Sequence, residues 1–295
     1  MKISLRRPAL VAAFAAAAVV VGGATAAPTW AQPVTSGSIS FSGDPGDYIT
    51  GGLSYSYSVD AGDILNVSSD EENNHVGLSV TGFNGDWWFL ELDAPTGQSL
   101  TPGTYDGATR YPFNGAGPGL SLFGNGRGCN TLTGSFTVQN AVYGPHGYVQ
   151  TFDATFEQHC EGGVDAARGE VHISNPPPPP ELALDLTVTV DGTASTVTGN
   201  AIVHGTVSCN KPVDLNLAGN VTEIVKKVVV RGSFAMGIDC TPGAPTAWTA
   251  TAVPSGTTPF TKGTAQVDAQ VTGFDPDYGV NVSDTATQIV SLRKG

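Results

Sequence analysis

The sequence has few charged residues, few basic residues and almost no helical periodicity. Only 13% of its 295 residues are charged, and 26 acidic residues stand against 13 basic ones. The net charge of −13 repels phosphate backbones, which excludes nucleic acid as a partner. No long stretch repeats apolar residues at i, i+3, i+4 and i+7 behind a capped start, so the sequence does not predict a helical protein.

The sequence also lacks closely spaced cysteines and the common catalytic motifs. Its four cysteines never fall within four positions of one another, which argues against a zinc site. There is no Gly-x-Ser-x-Gly and no His-Glu-x-x-His, and the glycine-rich stretch at 124–128 lacks the Lys-Ser/Thr of a phosphate loop. These absences leave no motif that names a reaction.

Glycine and proline, by contrast, are abundant. There are 38 glycines and 20 prolines, and 40% of the residues are hydrophobic. This composition is typical of a chain with many turns that still has enough apolar side chains for packed cores. The acidic residues are concentrated early: 16 of them stand against three arginines between Pro33 and Asn175, but only ten against seven basic residues from Glu181 onward.

The first 31 residues have the layout of a secretory signal peptide. Lys2, Arg6 and Arg7 precede an apolar run, and small residues suited to cleavage follow it at 24–26 and 29–31. An N-terminal membrane anchor is the alternative, but the run is short for a span. Arg6 and Arg7 leave both the general secretory route and twin-arginine export open. We therefore expect a secreted or cell-envelope protein without a membrane span in its mature form.

The cysteine spacing predicts two modules, each with its own disulfide. Cys129 and Cys160 are 31 positions apart, and so are Cys209 and Cys240. Four cysteines allow three connectivities, but the prolines from Pro176 to Pro180 separate the pairs and favour bonding within each module. Export to an oxidising compartment permits such bonds. The expected organisation is a first module at 32–175, a polyproline linker at 176–181 and a second module at 182–295.

Both modules are predicted to be β-sandwiches. In the first, alternating runs such as Leu53 to Val59 are separated by turns rich in Asp, Pro and Gly, which favours a jelly-roll-like sandwich. In the second, about seven candidate strands in some 110 residues fit an immunoglobulin-like sandwich. Trp248 follows the second cysteine of its pair, whereas immunoglobulin domains keep their core Trp between the two, so we predict the architecture and not that family.

Parts of both modules resemble known exported domains. The stretch Gly124-Asn-Gly-Arg-Gly-Cys-Asn130, followed by Phe156-Glu-Gln-His-Cys-Glu-Gly-Gly163, resembles a module of uncharacterised exported proteins of actinobacteria and myxobacteria. The segments Gly205-Thr-Val-Ser-Cys209 and Arg231-Gly-Ser-Phe234 are similar to those of small exported actinobacterial domains of unknown function. These resemblances bring no activity and no catalytic residues. They are compatible with a role at the cell surface or in the matrix.

Aromatic and basic residues of the first module make it the better candidate for binding. On a strand, Trp88 shares the core face with Leu90 and Leu92, so Trp87 faces outward. An exposed Trp87 near Arg110 and Tyr111 could form a platform on which a sugar ring stacks. A strand buried on both faces is the alternative.

Two further groups of residues invite a chemical interpretation. Glu157 and His159 share one face of a strand, as a general acid and base would, but a structural pair beside the disulfide is the competing interpretation. Arg127 is expected either to pair with Glu157 or Glu161 or to recognise an anion.

Four acidic turns raise the question of calcium. Calcium needs six to eight oxygen ligands, and turn-forming aspartate is the commoner cause of such patterns, so no cofactor is predicted and calcium has only weak support. The turns are Asp44 to Asp47, Asp60 to Asp63, Asp70 to Glu72 and Asp275 to Asp277.

These observations favour a non-catalytic exported protein that acts by binding or display, with a cell-wall glycan or a protein as partner. Two alternatives stay open. One is a secreted hydrolase of a polysaccharide or ester that uses Glu157 and His159. The other is a purely structural envelope protein.

Overall fold

The structure is a computed structural model, and it describes residues 31–295. The predicted signal peptide therefore lies outside the described residues, apart from Ala31 at its end. Strands make up 62% of the described part, which otherwise contains only two single-turn 3₁₀ helices. Between residues 31 and 295, no helix has the length and apolar character that a membrane crossing requires. The all-β prediction with two sandwiches is confirmed.

Residues 31–295 form 19 strands in two sheets. The first sheet comprises β1 (Gln32–Pro33), β2 (Ser36–Gly43), β3 (Ser54–Ser58), β4 (Ile64–Ser69), β5 (His75–Thr81), β6 (Trp87–Asp93), β7 (Gly103–Arg110), β8 (Gly119–Gly124), β9 (Leu132–Tyr143), β10 (Val149–Cys160) and β11 (Ala166–Ser174). The second comprises β12 (Leu184–Val188), β13 (Asp191–Ala194), β14 (Ala201–Cys209), β15 (Val213–Val225), β16 (Val228–Cys240), β17 (Thr246–Pro254), β18 (Gly263–Asp275) and β19 (Val280–Lys294). The 3₁₀ helices are Val59–Ala61 and Pro145–Gly147.

The first sheet has 11 strands in the order β1-β4-β5-β6-β8-β7-β9-β10-β11-β2-β3. Most neighbours are close in sequence and antiparallel; β7 and β8 are the parallel pair. This order refines the jelly-roll-like expectation, because tight turns join neighbouring strands where a jelly roll would cross between sheets. Residues from distant strands nevertheless meet inside: the Trp88 ring lies 4.9 Å from Phe41 and 4.8 Å from Tyr55.

The second sheet has the pairing of an immunoglobulin-like sandwich. Strand β14 pairs with β12 and β17, while β18 pairs with β15 and β19, as strands A, B and E and strands C, F and G do in that architecture. Trp248 of β17 is buried in the core. A Cβ at Gly205 would lie 2.6 Å from the Trp248 ring, so only glycine at 205 leaves room for that ring.

Each module has its own core and its own disulfide. One cluster of buried residues runs from Val34 to Ile173 and the other from Leu182 to Leu292, so the expected linker at 176–181 falls between them. The bonds Cys129–Cys160 and Cys209–Cys240 pair the cysteines within the modules. Crosslinks of this kind form in an oxidising compartment outside the cytoplasm.

The proline linker contacts both modules. The Tyr148 hydroxyl donates to the carbonyl oxygen of Pro176 at 2.9 Å, and the Tyr278 hydroxyl donates to that of Pro179. Pro178 packs against Gly144, where an added Cβ would lie 2.9 Å from the proline ring. The linker is therefore held by hydrogen bonds from the first module at one end and from the second at the other.

Candidate functional site

A pocket opens on the outer face of the first module where β6, β7 and β8 meet the disulfide loop. Its volume is about 330 Å³. Strands β6 and β8 form its floor, the end of β7 and the turn after it form one wall, and the disulfide loop forms the other. The lining residues are Glu91, Arg110, Tyr111, Pro112, Ser121, Phe123, Gly128, Cys129 and Asn130.

Strand alternation places the floor residues on one face. Phe89 and Glu91 of β6 stand opposite Phe123 and Ser121 of β8, while Leu90 and Leu122 face the core. The Phe89 and Phe123 rings are stacked with centroids 5.1 Å apart. The outer face of β6 and β8 therefore presents aromatic surface beside the polar side chains of Glu91 and Ser121.

Glu91 is oriented by a histidine from the neighbouring strand. Its Oε2 lies 2.8 Å from Nε2 of His75, which leaves Oε1 available to accept from a ligand. Gly77 stands opposite Glu91 on β5, and a Cβ there would lie 2.8 Å from Oε2. Glycine at 77 therefore gives the carboxylate the room it occupies.

The same histidine supports the aromatic wall of the pocket. The His75 and Tyr111 rings are stacked, with centroids 4.4 Å apart and 13° between their planes. Burial, together with the nearby Glu91, Asp93 and Asp70 carboxylates, raises the pKa of Tyr111. The Tyr111 hydroxyl therefore stays protonated at neutral pH and can donate to a ligand.

Arg110 faces Glu91 across the pocket and is held by the disulfide loop. Its Nη1 donates to the carbonyl oxygen of Asn130 at 3.1 Å, and its guanidinium lies 5.2 Å from the centre of the Phe113 ring. The loop itself is fixed from the turn after β10, because Glu161 accepts hydrogen bonds from the backbone amides of Asn130 and Thr131. The hydrogen bond from the Asn130 amide, and to a smaller extent that from Thr131, holds the pKa of Glu161 below its usual value.

Of the four predicted binding residues, Arg110 and Tyr111 line the pocket. Trp87 lies outside it, at the end of a row of aromatic rings that leads in through Phe89 and Phe123. Its side chain points outward, as predicted, and the residue is 43% exposed. The Trp87 ring lies 6.0 Å from that of Phe89.

Arg127 is directed away from the pocket, towards the core. Its Nη2 donates to the Tyr55 hydroxyl at 3.0 Å, and its guanidinium lies 5.7 Å from the centre of the Trp88 ring. The expected pairing of Arg127 with Glu157 or Glu161 was wrong. The tight turn between Gly124 and Arg127, with positive φ at Asn125 and Gly126, directs this side chain towards β3 instead.

Arg168 takes the place beside Glu157 that was expected for Arg127. Its Nε donates to Oε2 of Glu157 at 2.6 Å, and its Nη1 lies 3.2 Å from Asp44. Glu157 Oε1 also lies 2.9 Å from Nε2 of His159. The hydrogen bond from His159, and then that from Arg168, lower the pKa of Glu157, so this carboxylate is ionised and fully engaged.

His159 has acceptors at both ring nitrogens. Nε2 faces Glu157, and Nδ1 lies 3.1 Å from the carbonyl oxygen of Val164. A general base needs a nitrogen lone pair that is free to take a proton from a substrate. The arrangement of Glu157, His159 and Arg168 is therefore that of a structural cluster at the end of β10.

Each acidic turn has at least one carboxylate that accepts hydrogen bonds within the fold. Asp47 accepts from the amide and hydroxyl of Thr50, Asp63 from the amides of Ser58 and Phe83, and Asp70 from the amide of Asn74. Asp275 accepts from the amide of Leu182 and pairs with Lys211. Within residues 31–295, no group of three or more His, Cys, Asp or Glu is arranged to hold a metal ion.

The sequence alone did not single out two residues of the pocket lining, Glu91 and Phe123, or the histidine that supports the pocket from behind, His75. Glu91 could be placed on the Trp87 face from strand alternation, but its partner could not. His75 and Phe123 reach the site only through the pairing of β5 and β8 with β6. No protein-family model matches this chain, and no curated protein matches it either.

Proposed function

We propose that the protein is an exported, non-catalytic binding protein whose first module takes a carbohydrate in the pocket at Arg110 and Tyr111. The observation that carries this proposal is the convergence of two aromatic rings, one carboxylate and one guanidinium in a concavity of about 330 Å³. That volume suits one or two sugar rings, at the small end of ligand pockets.

The chemistry of the lining favours a sugar. The faces of Tyr111 and Phe123 offer apolar surface to the C–H groups of a pyranose ring. Glu91 Oε1 accepts from sugar hydroxyls, and the free N–H groups of Arg110 donate to hydroxyl or carbonyl oxygens in pairs. Ser121 and the side-chain amide of Asn130 add short polar contacts. Trp87, at the outer end of the aromatic row, extends the platform for a longer glycan.

Export agrees with this role. The two disulfides suit an oxidising environment, and the first 31 residues have the pattern of a signal peptide. A protein released outside the membrane, or retained in the envelope, meets polysaccharide as its most abundant polar surface. We propose a cell-envelope glycan as the ligand class.

Binding is favoured over hydrolysis by the number of carboxylates in the pocket. Glycoside hydrolysis normally uses two carboxyl groups that flank the scissile bond. Glu91 is the single carboxylate among the lining residues, and it is tied to His75. At the other candidate site, the engagement of both His159 nitrogens supports a structural role.

The proposal is tested by measuring binding of the disulfide-bonded protein to a glycan array and to purified cell-wall polysaccharide. Tyr111→Ala and Glu91→Gln are expected to weaken binding by about tenfold or more, because each removes a central contact of the pocket. Trp87→Ala should weaken binding to long glycans and leave short ones unchanged. Tyr48→Ala is the matched control, since Tyr48 is an exposed aromatic residue outside the pocket lining.

Two outcomes would overturn the proposal. One is glycan binding that Tyr111→Ala and Glu91→Gln leave unchanged. The other is turnover of a polysaccharide or ester that is lost in Glu157→Gln and His159→Ala, which would establish the hydrolase instead.

A further inference from the structure

The second module has its positive charge at one end. Six of its seven basic residues lie at the end farthest from the linker: Lys226, Lys227, Arg231, Lys262, Arg293 and Lys294. The seventh, Lys211, lies near the linker and pairs with Asp275 and Asp277. The linker end also holds Asp185, Asp214 and Asp239. A module with net negative charge therefore has a strongly positive tip.

Strand register brings the six basic residues together. Lys226 and Lys227 form the turn between β15 and β16, which pair from Val225 opposite Val228 onward. Glu223 of β15 stands opposite Ala265, near the start of β18, and Gly263 stands opposite Leu292, near the end of β19. Lys294 in turn pairs with Ala194 of β13. The turn, the start of β18 and the end of β19 thus lie at the same end of the sandwich.

These cations are not neutralised within the fold. Among the described residues, Lys211 is the only lysine or arginine of the second module in a salt bridge. Glu223, the carboxylate that β15 carries at this end, is 3% exposed and accepts hydrogen bonds from Thr261. All six basic residues are exposed. Their positive charge is therefore available to a partner that approaches this end of the module.

Aliphatic side chains stand exposed among the cations. Val197 is 92% exposed and Ile224 is 72% exposed. Val228, Val229 and Val253 are also exposed, and the pairing of Val253 with Ser233 places it beside Arg231 on the outer face. Patches that combine exposed apolar and charged groups are typical of interaction surfaces.

The backbone of the turn at Lys226 and Lys227 carries strain that other residues at these positions would avoid. Both residues have positive φ, 48° and 72°. A two-residue hairpin turn of this kind favours Asn-Gly, because at positive φ a Cβ atom crowds the backbone carbonyl, which glycine avoids and asparagine tolerates better than lysine. Two lysines at these positions therefore place positive charge at the extreme tip at some cost in stability.

We infer that this basic tip docks on the surface of an anionic lipid bilayer. It is defined by the six basic residues together with Val197, Ile224, Val228, Val229 and Val253. Cations alone would suffice to hold a soluble polyanion, and exposed aliphatic side chains would add nothing to that contact. A bilayer surface takes both, because phosphate headgroups attract the cations while the aliphatic groups enter the boundary with the acyl chains.

A pocket at the tip fits a headgroup. Its volume is about 480 Å³, and it lies between the loop after β13 and the loop before β18. Lys262 and Lys294 border it, together with the hydroxyl-bearing residues Ser195, Thr198 and Thr257. Two ammonium groups and several hydroxyls are the donors that a phosphate group requires. The second module would thus hold the protein at a membrane surface, whatever the first module binds.

The test is co-sedimentation of the disulfide-bonded protein with vesicles of phosphatidylcholine mixed with phosphatidylglycerol, compared with vesicles of phosphatidylcholine alone. Binding is expected only to the mixed vesicles and should fall at high salt. The variant K226N/K227G removes two charges and installs the preferred turn. It should raise stability and weaken vesicle binding by about 25-fold, at about fivefold for each charge. N216D/Q270E changes the net charge equally, away from the tip, and should bind as the parent protein does.

Insertion of the aliphatic side chains has its own readout. Val197→Trp should show a blue shift and gain in indole fluorescence on addition of mixed vesicles, beyond the change of the parent protein. Three results would each overturn the inference. The protein could bind both vesicle types equally, or N216D/Q270E could weaken vesicle binding as much as K226N/K227G does. The third is binding to soluble dextran sulfate without any binding to vesicles. Unchanged Val197→Trp fluorescence in bound protein would overturn the insertion of the tip.

Discussion

The imidazole of His75 lies flat against the phenol ring of Tyr111 and at the same time contacts the carboxylate of Glu91. The stacked rings are 4.4 Å apart at their centroids, and the Nε2–Oε2 distance is 2.8 Å. One histidine from β5 therefore positions two pocket residues that come from β6 and from the turn after β7. The site depends on a residue that does not line it.

His75→Ala is expected to weaken glycan binding by about tenfold. The substitution removes both the stack beneath Tyr111 and the bond to Glu91, and a hydrogen bond to a charged group is worth about 1.5 kcal/mol. His75→Phe keeps an aromatic ring beneath Tyr111, so its affinity for the glycan should lie between those of the alanine variant and the parent protein. Calorimetric titration with the glycan found on the array measures both, and parent-like affinity of His75→Ala would contradict the positioning role.

Lys211→Met is expected to destabilise the second module. Lys211 Nζ lies 2.7 Å from Asp275, whose side chain is 1% exposed. Burial alone would raise the pKa of Asp275, but hydrogen bonds from Lys211 and from the Leu182 and Asp277 amides hold it below its usual value. Removing Lys211 leaves a buried carboxylate without its cation, at a cost of roughly 2–4 kcal/mol.

Denaturant unfolding measures this loss, and a second variant identifies its cause. K211M/D275N removes both charges and should recover part of the stability that Lys211→Met loses. If the double variant is as unstable as the sum of the two single ones, the ion pair is not the source of the effect.

The stability of the first module is expected to fall in acid in a way that depends on Arg168. The amide of Ala166 and then Arg168 lower the pKa of Asp44 from its ordinary 3.8, while His159 and then Arg168 lower that of Glu157 from 4.5. Carboxylates with lowered pKa values stabilise the fold above their ordinary pKa, and this contribution is lost as the pH falls through the lowered values.

Arg168→Gln should therefore lose stability near neutral pH but show a shallower decline below about pH 4.5. Thermal unfolding across this range measures the effect. Arg110→Gln is a suitable control, since its guanidinium contacts a backbone carbonyl and the Phe113 ring. If the unfolding temperatures of the parent and Arg168→Gln proteins decline in parallel from neutral pH down to strong acid, this account is contradicted.

The two disulfides are expected to act separately. Each closes a loop of 31 residues, which corresponds to roughly 3–4 kcal/mol in the loop-entropy model. C129A/C160A should destabilise the first module and reduce glycan binding, because Cys129 and Asn130 border the pocket. C209A/C240A should destabilise the second module and leave glycan binding intact. Loss of glycan binding in the second variant would show that the modules depend on one another.

Strand positions with clean alternation could be predicted from the sequence, and those with broken alternation could not. Leu53 to Val59 and Leu184 to Val190 alternate strictly, and strands β3 and β12 lie within these runs. Strand β7 shows no clean alternation because a bulge between Asp106 and Ala108 breaks its register, with Gly107 at positive φ. Strand β13 has only four residues and is defined by its parallel pairing with β19.

The sequence by itself determined the all-β class, the turn-rich surface, the outward orientation of Trp87 and the expected pairing of the cysteines within each module. These follow from alternation, turn chemistry and spacing, which act over a few residues or through a single crosslink. Only the tertiary structure decided that Glu91, Arg110 and Phe123 share a pocket supported by His75, that Arg127 turns inward, and that six cations gather at one tip. Strand pairing sets those proximities, because hydrogen-bond register between distant segments determines which side chains become neighbours.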